Sequence, residues 1–290
     1  MHQRFATAGL LVCVALCVAV FVGGQDSAAA APPSSLQFDG TNDIVRTVNL
    51  PLLTQFTLEA WVKRAADPNR FQTFLSDANS NYSQAMFTLY VDGGSQDCGA
   101  GDQFAYYQAG GNSQHCSGVT ATVGQWFHIA ITRDSAGIRR FFVNGVLRST
   151  QTNSPAPADS SGVLTIGRAG DFNGEYFGGL MDEVRLSNTA LYTADFTPPT
   201  APLAAGASTV ALWHLDEGAG QTVVDVSGNG RNGTLGTSAN ADSAAPLWST
   251  DSPVGDATPT ATAIATPTNT TPPGPKTTPT EHPTNTKTPG

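Results

Sequence analysis

Charge is scarce in this chain. Asp, Glu, Lys and Arg make up 13% of its 290 residues, and 14 Lys and Arg face 23 Asp and Glu, for a formal net charge of −9. So few cations cannot neutralise a run of phosphates, which argues against nucleic acid as a partner. An acidic surface fits neutral sugars, Ca2+, or solubility alone. Histidine (5 residues) is rare as well. No Gly-x-Ser-x-Gly elbow and no His-Glu-x-x-His occurs, so the common hydrolase and zinc-protease signatures are absent. Acids at every second position of one strand, which would aim paired carboxylates into one cleft, are also missing. Met181-Asp182-Glu183-Val184 sets adjacent acids on opposite faces, and Asp171 and Glu175 stand apart in a glycine-rich loop. The reading is therefore not an enzyme. His128 and His214, each mid-strand beside a Trp, read as packing residues rather than acid/base groups.

Long apolar runs are absent but for one. Phe5 to Val22 follows His2 and Arg4 and leads into Ser27-Ala28-Ala29-Ala30-Ala31-Pro32. A basic start, an apolar centre and a small-residue site make residues 1–31 a secretory signal peptide. The run, about 18 residues, is also long enough for a retained anchor. The alanine-rich site favours cleavage, and with it a secreted or extracellular-surface protein with no membrane insertion afterwards. Residues 253–290 are almost wholly Thr, Pro, Ala, Asn and Gly. Such a segment has too little apolar surface to offset ordering, so it reads as a disordered linker or stalk. Residues 34–252 remain as one domain.

Of four cysteines, Cys13 and Cys17 leave with the signal. An even remainder in an exported chain makes Cys98 and Cys116 a disulfide, worth about 3 kcal/mol through the loop it closes. A metal site is the alternative, but His115 abuts Cys116 and no other partner is suitably spaced. Three Asn-x-Ser/Thr matches, at Asn81, Asn232 and Asn269, are what chance gives in a chain this rich in Asn, Ser and Thr, and no sugar is assigned.

What is plentiful is strand signal. Phe56, Leu58, Ala60 and Val62 alternate with Thr57, Glu59 and Trp61; Phe127, Ile129 and Ile131 alternate likewise, as do Leu164 with Ile166 and Val210 with Leu212. This is the strand period. Phe141–Val143, Asn144-Gly145 and Val146-Leu147 form a tight hairpin, since Asn-Gly supplies the positive φ angles of a type I′ turn. Met86 to Val91 is apolar on both faces, as in a sandwich of two sheets. Only Thr189–Ala194 reads as a helical turn. The Pro- and Ala-rich stretch Phe196–Ser208 reads as a crossing loop that returns the chain to the same sandwich. Val223 to Gly233 reads as a polar turn rather than a phosphate loop, because no helix follows it.

Two acids stand out. On strict alternation Asp182 shares a face with Leu180, Val184 and Leu186, where a carboxylate is costly unless paired or metal-bound. Asp39 opens the oxygen-rich turn Asp39-Gly40-Thr41-Asn42-Asp43 directly after a strand. Asp39, Asn42 and Asp182 could meet around one Ca2+, which takes six to eight oxygens. Alternatively Asp39 caps its own turn and Asp182 bonds backbone amides or Arg185.

Five segments in order resemble the laminin-G-like, concanavalin A-like jelly-roll family. They are Phe38 to Val45, Phe56 to Val62, Gly124 to Ala130, Phe142 to Gly145, and Gly178 to Leu186. Trp213 to Gly220 also looks familial. In many relatives that block comes first; here it is last, either permuted or the start of a truncated second copy. The resemblance implies an all-β fold, a two-sheet antiparallel jelly-roll sandwich, often with one structural Ca2+. The expectation is a non-catalytic extracellular binding module, with a glycan as first-guess ligand. An adhesive or structural domain binding an extracellular protein is the alternative, and a glycoside hydrolase ranks last. Tyr82, Tyr106, Tyr107 and Tyr176 are the aromatic candidates for a sugar face.

Overall fold

The computed structural model describes residues 34–47, 50–65, 70–79, 85–94, 97–99, 101–109, 114–157, 163–170 and 174–255. The signal segment, nearly all of the Thr/Pro-rich tail, Tyr82, Asp171 and the glycosylation patterns at Asn81 and Asn269 lie outside them.

Two antiparallel sheets pack face to face. The first runs β10 (Val146–Gln151), β9 (Arg139–Val143), β8 (Trp126–Arg133), β3 (Phe56–Arg64), β12 (Gly178–Ser187), β1 (Ser35–Asp39), β16 (Leu247–Ser249). β13 (Thr209–Trp213) pairs with the far half of β12. The second runs β14 (Thr222–Val223), β15 (Gly233–Leu235), β2 (Val45–Arg46), β11 (Thr165–Ile166), β4 (Gln72–Ser76), β5 (Thr88–Asp92), β6 (Gln103–Tyr107), β7 (His115–Thr120). This is the expected jelly-roll sandwich. Among the described residues no helix is long and apolar enough to cross a membrane.

Alternation decides which side chains meet. Phe56, Leu58, Ala60 and Val62 of β3 point into the core, opposite Leu89 and Val91 of β5 and Phe104 and Tyr106 of β6. Edge-to-face aromatic pairs knit the layers, among them Phe56 with Phe87 at 5.6 Å and Phe104 with Phe127 at 5.1 Å. Each large apolar side chain so buried contributes about 1.5–3 kcal/mol. The other face of β5 and β6 carries Thr88, Tyr90 and Tyr107, and it becomes important below.

The Asn-Gly hairpin between β9 and β10 is present, with φ of 51° at Asn144 and 73° at Gly145. Asn144 is tied to β8, its side-chain Oδ1 accepting from the His128 N–H at 2.8 Å. The helical turn expected at Thr189–Ala194 is absent; that stretch is irregular. Its backbone is held by a side chain of β3 instead, since Thr57 Oγ1 donates to the Thr189 carbonyl and accepts from the Leu191 N–H. Tyr192 then stacks on Phe196 at 3.6 Å, and Phe196 sits edge-on to Phe142 and His128. Tertiary contacts on the outer face of the first sheet thus outweigh a weak local preference.

The late block joins the same core. Trp213 is fully buried, its indole N–H donating to the Arg231 carbonyl at 2.8 Å, and Leu215, Val223 and Leu235 pack with it. The turn from Asp225 to Asn232 is cinched by the Asp225 carboxylate, which accepts from the N–H groups of Leu212, Ser227 and Arg231. β16 pairs with β1, Ser35 opposite Ser249, so the last described strand lies beside the first.

Candidate functional site

The residues expected to share one Ca2+ do not come together. Asp39 faces Gly178 in the β1–β12 ladder, whereas Leu36 faces Met181, the residue before Asp182. Asp39 and Asp182 are therefore about four residues apart along the ladder, roughly 13 Å. Asp39 is exposed and caps its own turn, accepting from the N–H groups of Thr41 and Asn42 at 2.7 and 3.2 Å. Asn42 turns the other way and donates to the Ser243 carbonyl at 2.6 Å.

Asp182 also does not share a face with Val184 and Leu186. A β-bulge lies between Asp182 and Arg185, where β12 carries one residue more than β3. Glu183 occupies the bulge with φ of 52°. The extra residue flips the alternation, so Val184 and Leu186 enter the core while Asp182 stays outward, opposite Trp61. Asp182 is nevertheless fully buried, because the chain after β16 covers it. The Ser252 hydroxyl donates to it at 2.7 Å and the Glu183 N–H at 2.8 Å. Burial, then the charges of Glu183 and Asp216, push its pKa up to about 9.

The bulge lies where β12 changes partners from β1 to β13, and it opens a carboxylate cluster that strict alternation hides. Glu183 accepts from the ring of His214 at 2.8 Å and from the Leu203 N–H at 2.7 Å. Burial works against a charged His214, but Glu183, with Asp216 and Glu217 near it, holds its pKa above the ordinary histidine value. One donor atom each from Glu183, His214 and Asp216 lie within 4.8 Å of one another, the one such group among the described residues. The set fits Ca2+ poorly. An imidazole and two carboxylates fall short of six to eight oxygens, and suit a transition metal better. Both Glu183 oxygens already accept from protein donors, and Asp216 accepts from the Ser34 N–H.

A second site lies on the outer face of the second sheet. A groove of about 300 Å³ is lined by Phe71, Thr88, Tyr90, Asp97, Tyr107 and Glu175, with Gln114 at its side. Period two builds its floor: Leu89 and Val91 enter the core, so Thr88 and Tyr90 face out, and Thr88 stands directly across from Tyr107 of β6. Phe71 meets the Tyr90 ring edge-on at 5.7 Å. The walls come from loops. Asp97 accepts from the Tyr90 hydroxyl at 2.8 Å, and Glu175 accepts from the Thr73 hydroxyl at 3.1 Å. Burial and then the bond to Asp97 push the Tyr90 phenol far above its usual pKa, so it remains a hydroxyl.

The disulfide holds this wall. Cys98 is bonded to Cys116 of β7, with Cα atoms 5.6 Å apart. Asp92, at the end of β5, accepts from the N–H groups of Asp97 and Cys98 at 3.0 and 2.6 Å. Asp97 is thus clamped from both sides.

Of the aromatic candidates, Tyr107 lines the groove and Tyr106, its neighbour in sequence, points into the core, its hydroxyl donating to the Met86 carbonyl. Tyr176 lies beside the Arg168 guanidinium at 6.0 Å. Glu175 joins the groove. Phe71, Tyr90, Asp97 and Gln114 carry no motif that marks them; the alternation of Tyr90 with Leu89 and Val91 is the available signal. His128 is fully buried, with Nε2 3.1 Å from Glu59, which also pairs with Arg185 at 2.6 Å and accepts from Tyr192 at 2.9 Å. That network anchors the 188–208 segment.

Comparison with curated protein sequences finds no match. Among solved structures, the fold is similar to a putative carbohydrate binding protein from Bacteroides ovatus. The TM-score is 0.57 at 19% identity, covering 75% of this chain and 62% of that one. The chain thus spans less than two thirds of that protein's length. A heptameric SAP-like pentraxin from Limulus polyphemus gives 0.48 at 19% identity, covering 73% and 98% of the two chains. Domains LG4-5 of the mouse laminin alpha1 chain give 0.41 at 14% identity, covering 62% and 46%. The family profile Laminin_G_3, described as the concanavalin A-like lectin/glucanases superfamily, matches residues 39–196. That match covers more than half of the chain, and both sheets contribute strands to it: the protein belongs to the concanavalin A-like lectin/glucanases superfamily.

Proposed function

We propose that this protein is a non-catalytic, extracellular glycan-binding module, with its ligand in the groove over β5 and β6. The observation that carries the reading is the composition of that groove. The half-buried rings of Phe71 and Tyr107 lie beside the polar groups of Asp97, Glu175 and Gln114, over a floor of buried Tyr90 and Thr88. A sugar ring has an apolar face and a rim of hydroxyls, and it is bound by this combination. The likeness to a putative carbohydrate binding protein agrees with this. Export is supported by the N-terminal segment and by the disulfide. Calcium has weaker support, since no described cluster offers an oxygen cage.

Asp97 and Glu175 facing one groove give a hydrolase reading one specific footing, because glycoside cleavage uses two carboxylates. One experiment separates the readings. A glycan array, followed by calorimetric titration with the best oligosaccharide, should show binding that Tyr107→Ala weakens at least tenfold without change in melting temperature. Release of reducing ends by wild type, lost in Glu175→Gln, would replace the module with an enzyme. Absence of any glycan binding, with capture of an extracellular protein instead, would favour the adhesive alternative.

A further inference from the structure

The groove has an uneven chemistry. Its described lining includes two carboxylates, Asp97 and Glu175, and no Lys or Arg. An ionised carboxylate accepts hydrogen bonds and cannot donate them. Asp97 is not free to swing away: the Tyr90 hydroxyl holds its side chain, Asp92 holds its backbone, and the adjacent Cys98 is covalently fixed to β7. Glu175 is held by Thr73 through its side chain, and its backbone carbonyl accepts from the Thr73 N–H at 2.9 Å. The two negative charges are therefore built into the walls.

Resting on the glycan-binding reading above, we infer that the groove selects glycans by charge, preferring those that present hydroxyl or ammonium donors and rejecting those that carry a carboxylate. Sugar hydroxyls donate into the carboxylates, and an ammonium adds opposite charge. A uronic or sialic acid keeps its hydroxyls but brings a third negative charge into a partly desolvated groove, and its carboxylate offers no donor. Like charges in such a setting repel by enough to cost about tenfold in affinity or more. The floor is indifferent to this choice, since aromatic faces stack on any sugar ring. Selection by charge then belongs to Asp97 and Glu175, and retention to Tyr107 and Phe71.

The test is an array holding matched neutral, amino and uronic-acid forms of the same gluco-, galacto- and manno-configured backbones. The best-bound backbone is then titrated in all three forms at low salt. Amino and neutral forms should bind at least tenfold more tightly than the acid. The double variant Asp97→Asn, Glu175→Gln should narrow that gap at least tenfold, raising the affinity of the acid form relative to the neutral one. Acid-bearing forms that bind wild type as tightly as their neutral partners would overturn the inference and leave the glycan reading standing. A gap that persists in the double variant would also overturn it. Failure of every backbone to bind would overturn the glycan reading, and this inference with it.

Discussion

The fully buried Asp182 makes a sharp prediction about protons. Its folded-state pKa is about 9, against 3.8 for an ordinary aspartate. Between those values the folded protein holds a proton that the unfolded chain releases, so stability falls as pH rises through this window. At pH 7 the accumulated cost is at most about 4 kcal/mol, the distance from 3.8 to 7 at 1.36 kcal/mol per unit. Asn has the same shape and never ionises. Its carbonyl can accept from the Glu183 N–H, and its amide can donate to Ser252 Oγ. Asp182→Asn should therefore match wild type near pH 4 and exceed it by about 2–4 kcal/mol at pH 7, some 5–10 °C in melting temperature. His214 and Glu183 titrate in both proteins, so the difference between the two curves isolates Asp182. Thermal melts from pH 4 to 8.5, each with EDTA and with added Ca2+, measure this. A variant less stable than wild type at pH 7, or a wild type that Ca2+ stabilises and EDTA destabilises, would refute the reasoning and make Asp182 an ionised metal ligand.

Replacing Cys98 and Cys116 by Ser should lower stability by about 3 kcal/mol in denaturant melts. Because the bond holds the loop that carries Asp97, the same variant should weaken glycan binding; unchanged affinity would uncouple the bond from the groove. Gly145→Ala should destabilise by about 2 kcal/mol or more, since a Cβ there would lie 1.9 Å from the Phe196 carbonyl at a φ of +73°. A change under half a kcal/mol would mean the hairpin and the 188–208 segment are not in contact as described.

The fold was legible because its signals are local. Phe56 to Val62 and the Asn144-Gly145 turn declare face and hairpin within a few residues, and Cys98 and Cys116 leave each other as partners once the N-terminal apolar run is set aside. The Asp182 environment was misread because alternation assumes an unbroken strand. One bulged residue, Glu183, reverses the faces beyond it, and nothing in Met181-Asp182-Glu183-Val184 announces a positive φ at a glutamate. Register was equally hidden: Asp39 and Asp182 sit on neighbouring strands, but the pairing of Asp39 with Gly178 keeps them apart. The groove was partly visible. Tyr107 and Glu175 stand out singly in the sequence, but Phe71, Asp97 and Glu175 arrive from three loops far apart in sequence, and only the folded sheet makes them neighbours.

The pairing of β1 with β16 decides how the domain carries load. Because Ser35 lies opposite Ser249 and the Ser35 hydroxyl donates to the Asp251 carbonyl, the polypeptide enters and leaves the sandwich at one point. Tension applied through both sides of that point meets the short ladder end-on and opens its bonds one after another, as a zip, rather than shearing them together. The domain is thus mechanically soft when pulled by its two ends, the Ser35 and Ser249 pair parting first.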